Sequence, residues 1–341
     1  MRTSEPQVVI GLDVGGTCIN ATAVDETGGF LVDRMVEIPS CVKQGPYAAV
    51  AALAEAMELV LDITQRQRAE VCAVGLDTPG PASADGVISS KGATNFAQEA
   101  WWGFDFRGAL EKRLGLPVFY ANDANAAALY AHHVHFGTQT MHRSSVAAIV
   151  GTGLGGGVIE AGRVIGGAAG MAGELGHIVI SMEGLLAEGQ PVPACNCGLK
   201  GDGESIASLS GIENNLLPYW LSQYPDHDLH ELGSMHKAAK AVRSYGERGD
   251  DLALKIFEQQ AIALGRLFSV AAMFTDPDVC FVGGGVVEAA PHFRDWFLAK
   301  VKEHTVLREE QRRMTTFALV PDLDMAGARG AALGALASAR R

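Results

Sequence analysis

The chain has 341 residues, 48% hydrophobic and 19% charged, the balance of a soluble globular protein with room for two domains. Its formal net charge of −12 argues against a nucleic-acid or anionic-membrane partner, since either would select a basic face. No apolar run approaches the roughly 20 residues that span a membrane, and the opening MRTSEPQVVIGLD lacks the basic segment and apolar stretch of a signal peptide, so a cytoplasmic address is the expectation.

In chain order, VVIGLDVGGTCINATAVD reads as a strand, a Gly-rich turn and a second strand, and FLVDRMVEI as a third. From Gly45 to about Arg68 the spacing predicts a helix. EVCAVGLDTPG returns to a strand ended by Pro–Gly, residues 104–115 read as helical, and LPVFYAND as another strand. Near residue 122 the pattern restarts. NDANAAALYAHHVHFG opens on an Asn/Asp cap and runs as a helix to Gly137. SSVAAIVGTGLGGGVIEAGRVIGG is then strand, Gly-rich turn, strand and turn, an echo of residues 8–24 that suggests a weak internal duplication. Residues 182–204 are Gly/Pro-rich and irregular. Helices follow at about 235–247 and 251–275, then a strand DVCFVGGG and a small-residue helix MAGARGAALGALASA.

GTGLGG at 151–156 satisfies G-x-G-x-x-G, the dinucleotide-binding fingerprint. That fingerprint needs its last glycine to open a helix facing a pyrophosphate. GVIEAGRV follows instead, with β-branched residues and an early turn, so this is a hairpin and the Rossmann reading fails. Three glycine turns remain: GLDVGGT with Gly11, Asp13, Gly15, Gly16 and Thr17; GTGLGG with Gly151, Thr152, Gly153, Gly155 and Gly156; and VGGGVV with Gly283, Gly284 and Gly285. Each alone reads equally well as a plain tight turn. Together they favour a nucleotide lying between two halves, because absent side chains let backbone N–H groups approach phosphates. Asp13, ending an apolar strand, can hold a hydrated Mg²⁺ through water.

Two further features carry chemistry. Of the six cysteines, four are scattered singly, which suits reduced thiols, while Cys195 and Cys197 stand one residue apart like half a metal site. Asp123 in ANDAN reads by its letters either as a general base or, with Asn122, as a helix cap.

LDVGGT, NDANAAALYA, GTGLGGG, GELGH and CNCGLKGDGE, in this order, resemble the ROK group of sugar kinases and repressors within the actin-like ATPase superfamily. The resemblance runs from about Val8 to Ala337. It implies an α/β fold of two ribonuclease-H-like domains with an interdomain cleft. The first domain would cover 1–121, with a C-terminal helix at about 325–341 packing back on it, and the larger second 122–324. It implies an ATP- and Mg²⁺-dependent kinase acting on a sugar, glucose at the 6-hydroxyl before N-acetylglucosamine, N-acetylmannosamine or another hexose, with Asp123 as general base. It also implies sugar contacts from Asn95, Asn122, Asp123, Glu174, His177 and Glu204, and a homodimer or larger assembly. A structural Zn²⁺ would be held by His177, Cys195 and Cys197, with Asp202 standing where the family carries a third cysteine. Cys18 is a second departure, since many relatives have Lys there. A repressor would need a DNA-binding module before VVIGLD, where this sequence has MRTSEPQ, and an actin-like filament ATPase would have no use for GELGH.

Overall fold

The computed structural model describes residues 7–80, 82–89 and 94–340. Val8–Val14 (β1) is buried along almost its whole length, as an apolar run at the centre of a sheet requires. It turns at Gly15–Gly16, where the Gly15 N–H donates to the Cys18 carbonyl at 2.8 Å, into the antiparallel strand Cys18–Asp25 (β2). The third strand, Val36–Pro39 (β3), is shorter than FLVDRMVEI suggests. Phe30 makes only an isolated bridge to Val24, and the exposed Asp33 and Arg34 lie in bends between the two.

Helix α1 (Pro46–Thr64) starts on a proline, whose missing N–H is no loss in a first turn, and buries Ala49, Leu53, Ala56, Met57 and Val60. Then come β4 (Val71–Thr78), α2 (Phe106–Leu114) and β5 (Val118–Asn122). The sheet order is β3-β2-β1-β4-β5, with β4 parallel to both β1 and β5. Trp101 is buried and donates to the Val42 carbonyl, while Trp102 is half exposed.

Helix α3 (Asp123–Phe136) leads to β6 (Ser144–Val150), β7 (Leu154–Glu160) and β8 (Arg163–Val164). After an irregular stretch come the short turns α4 (Glu204–Ala207) and α5 (Leu209–Gly211), then α6 (Leu217–Gln223), α7 (Met235–Glu247) and α8 (Asp251–Thr275). The chain continues with β9 (Val279–Gly284), α9 (Pro291–Glu303), α10 (Glu309–Met314), β10 (Thr316–Leu319) and α11 (Leu323–Ala339). The second sheet, β10-β9-β6-β7-β8, repeats the order of the first, so the suspected duplication is present in the topology.

The chain forms two compact units: Met1–His142 with Ile159–Ala172 and Asp322–Arg341, and Arg143–Val158 with Gly173–Pro321. Helix α3, assigned from sequence to a second domain beginning at 122, belongs to the first unit. The reason is close packing on α11, where a Cβ on Gly330 would stand 1.9 Å from the Ala126 carbonyl oxygen. Helix α11 also lies directly on the first sheet, because Gly11 and Gly75 leave room for the backbones of Ala328 and Ala331. The second unit has its own core around Val146, Ile206, Leu264, Leu267, Phe268 and Val282. Among the described residues no helix is long and apolar enough to cross a membrane.

Candidate active site

In the first unit the ends of three neighbouring strands gather the polar side chains. Asp13, near the end of β1, is half-buried and accepts from the Asn20 amide at 3.4 Å. Gly15, Gly16 and the exposed Thr17 form the turn beyond it, and Asn95 lies against that turn, its Oδ1 2.6 Å from where a Gly16 Cβ would be. At the end of β5, Asn122 caps α3 by accepting the Ala124 N–H at 3.0 Å. Asp123 is the first residue of α3, half-buried, with Oδ1 accepting the same N–H at 2.7 Å. Beside them the Thr78 and Tyr120 hydroxyls are 2.8 Å apart, and burial pushes the Tyr120 phenol well above its ordinary range, with Asp77 and Asp123 adding to the effect.

Sequence reading missed Asp77. It is fully buried at the end of β4, where burial and the neighbouring Asp13 push its carboxyl well above the usual range. The available signal was a carboxylate inside the apolar run VCAVGLDTPG, in register with Asp13.

In the second unit Gly151–Gly153 turns between β6 and β7, closed by the Gly151 N–H donating to the Gly153 carbonyl at 2.9 Å. Glu204, at the start of α4, accepts the Leu154 N–H from this hairpin at 2.9 Å and the Cys195 thiol at 3.5 Å. It therefore joins the glycine hairpin to the cysteine loop. Glu174 and His177 are exposed; Glu174 precedes the single turn Leu175–His177 and His177 ends it.

The residues of the expected metal site come together. Candidate ligand atoms of His177, Cys195, Cys197 and Asp202 all lie within 4.8 Å of one another. The two sulfurs are 3.1 Å apart, and His177 Nδ1 is 3.3 Å from Asp202 Oδ2. These spacings lie within about 1 Å of those set by a tetrahedral ion with bonds of about 2.3 Å to sulfur and about 2.0–2.2 Å to nitrogen and oxygen. Burial opposes the Asp202 carboxylate, but hydrogen bonds from Cys195, Ser205 and His177 outweigh it and hold its carboxyl below the usual range. Burial also pushes the Cys195 thiol up, with Cys197 and Asp202 contributing. A dication at the centre would reverse that preference. Two thiols, an imidazole and a carboxylate are a donor set zinc accepts.

The model of the ROK family matches residues 9–338. The chain belongs to the ROK family. It is 32% identical over 304 residues to a glucokinase of Halalkalibacterium halodurans, covering 86% of this chain and 84% of that protein. Identity to an N-acetylmannosamine kinase of Citrobacter koseri is 28%, over 95% of this chain and 97% of the relative. A solved ROK family glucokinase from Streptomyces griseus, in complex with glucose and AMPPNP, matches with a TM-score of 0.69 at 27% identity, covering 96% of this chain and 99% of that one.

Within this ROK chain the glycines grouped by sequence separate into two kinds. Gly15, Gly16, Gly151 and Gly285 stand at partly or fully exposed turns. Gly11, Gly156, Gly283 and Gly284 are buried. A Cβ on Gly156 would meet the Gly173 carbonyl at 2.5 Å, and one on Gly284, at φ 102°, the Val150 carbonyl at 1.8 Å. Their missing side chains serve the packing of backbone on backbone.

Proposed function

We propose that this ROK chain transfers the γ-phosphoryl group of ATP to a hexose hydroxyl, glucose at the 6-position being the first substrate to test. The observation that carries the proposal is Asp123, a half-buried carboxylate at the N-terminus of α3, in a chain 32% identical to a glucokinase. In this reading Asp123 takes the proton of the attacking hydroxyl as the new O–P bond forms, and the bond from phosphorus to the ADP oxygen breaks. Gly15, Gly16 and Gly151–Gly153 offer backbone N–H groups to the phosphates, and Thr17 and Thr152 their hydroxyls. Asp13 would hold Mg²⁺ through water, and the ion, when bound, neutralises phosphate charge.

Asn95, Asn122, Glu174, His177 and Glu204 are proposed to match the sugar hydroxyls, each needing a fixed partner because an unmatched buried polar group is unfavourable. His177, Cys195, Cys197 and Asp202 would hold Zn²⁺ as a structural ion whose effect is to fix the loop that presents Glu174 and Glu204. The six free thiols and the need for ATP suit a cytoplasmic setting.

The test is ADP release from Mg·ATP over a panel of hexoses and N-acetylhexosamines, with Asp123→Asn alongside. Turnover with glucose that disappears in the variant supports the proposal. Preference for an N-acetylhexosamine would move the substrate while keeping the mechanism. ATP hydrolysis indifferent to every sugar would sink it.

A further inference from the structure

Asp77 faces Asp13 across the parallel pairing of β1 and β4, at Cα partners in register. Side chains at such partners, on strands about 4.8 Å apart, leave the sheet on the same face. Here that face lies under α11. The Ala328 and Ala331 carbonyls sit over Gly11 and Gly75, and a Cβ on Gly327 would be 2.7 Å from Asp13 Oδ2. Asp77 is 0% exposed; no N–H or other hydroxyl donates to its oxygens, and its one side-chain hydrogen-bond partner is Asp13, another acid. The charged groups acting on it are Asp13 and Asp123, both of its own sign. No cationic side chain is among them. A buried carboxylate without donors is strongly unfavourable unless a positive charge joins it.

We infer that Asp77 is a second carboxylate for the divalent cation of the phosphate site, sharing it with Asp13. Mg²⁺ commonly takes one or two carboxylates, with water and substrate phosphates completing its octahedron. Asp13, half-buried at the mouth of the glycine turn, is the solvent-side member of the pair, and Asp77 the enclosed one. Two carboxylates balance one dication before any nucleotide arrives. The protein therefore binds the cation by itself, where a lone Asp13 would meet it only as the Mg·ATP complex. The purpose of the cation rests on the kinase reading; the existence of the site does not.

The test uses Mn²⁺ and the full chain, with neither nucleotide nor sugar, following free Mn²⁺ by electron paramagnetic resonance. The sulfurs of the cysteine loop are poor ligands for this hard ion. Wild type is expected to take up one Mn²⁺ per chain. Asp77→Asn and Asp77→Ser are expected to bind it about 10–100-fold more weakly, while unfolding in EDTA at the wild-type temperature or above. Wild type that binds no Mn²⁺, or variants that bind it equally well, would overturn the inference; in the second case Asp77 is a neutral buried acid. Should neither variant fold, the wild type decides alone, since Mn²⁺ without nucleotide raises its unfolding temperature only if the protein itself holds the ion. No turnover enters these readings, so a failure of the kinase proposal stays separate.

Discussion

A methyl group at Gly11 would stand 1.9 Å from the Ala328 carbonyl oxygen and 2.9 Å from the Ala332 Cβ. The first distance is roughly 1.5 Å inside ordinary contact, and its partner is helix backbone, which no rotamer change can move aside. Helix α11 must lift or β1 must bend. Overpacking of this kind costs about 1–3 kcal/mol and sometimes more. The lower chain entropy of an alanine in the unfolded state returns only about 0.4–1 kcal/mol. A net loss of about 1–2 kcal/mol lowers the unfolding temperature of a domain this size by about 2–8 °C. Gly15→Ala is the matched control, since its nearest neighbour, the Cys18 carbonyl, is 3.3 Å away. It should leave the unfolding temperature nearly unchanged and raise KM for ATP, because the methyl occupies the exposed turn. Thermal unfolding and ATP titration of both variants decide the matter. Gly11→Ala with an unchanged unfolding temperature and a raised KM for ATP would return Gly11 to the nucleotide site and refute the packing argument.

Asp123→Asn should lower kcat by about 10²–10⁴-fold with KM for ATP nearly kept, measured by steady-state ADP release. Asp202→Cys should tighten zinc by at least about tenfold in a chelator competition, because a soft thiolate replaces a hard carboxylate. Asp278 accepts from the Ser144 N–H at 2.8 Å and from Arg143, and although burial opposes its charge these contacts hold its carboxyl below the ordinary range. Its folded-state pKa is depressed, so its stabilisation is fully present above the unfolded value of about 3.9 and is lost as pH falls through the folded one. Asp278→Asn should therefore cost about 1–3 kcal/mol in urea unfolding at pH 7, and the difference should close below about pH 4.

Much of this fold was legible because its elements announce themselves locally. Asn122 and Asp250 cap α3 and α8 where their sequences place an acid or amide before an alanine- or leucine-rich run. The GTGLGG hairpin was separable from a dinucleotide loop by the β-branched residues after it, and no helix follows there. The sequence left α9 and β10 unassigned: PHFRDWFLAKVKE mixes aromatic and basic residues around the helix, and TFAL is too short to show alternation. What separates the exposed glycines from the buried ones was not legible for a different reason. Whether a glycine faces solvent or the back of a helix depends on a partner hundreds of residues away, as with Gly11 and Ala328, and local letters do not encode that. Asp77 escaped for the same reason, since its meaning lies in the strand beside it. The four candidate zinc ligands rest on two short segments, GELGH and CNCGLKGD: the spacing of Cys195 and Cys197 marks half a site, and His177 and Asp202 followed only from the resemblance to the ROK family.

Helix α11 has a consequence for how the protein is made. The first sheet is complete in sequence at Asn122, yet the helix that covers its face with Gly11 and Gly75 begins at Leu323. At typical elongation rates the roughly 200 intervening residues take about 10–40 s to synthesise. The second unit, Arg143–Val158 with Gly173–Pro321, emerges in full during that interval. The part of the chain translated first is thus the part that finishes last. For that interval a nascent sheet with a bare, glycine-lined surface waits on the ribosome, and it is the stage of synthesis at which a chaperone has most to protect.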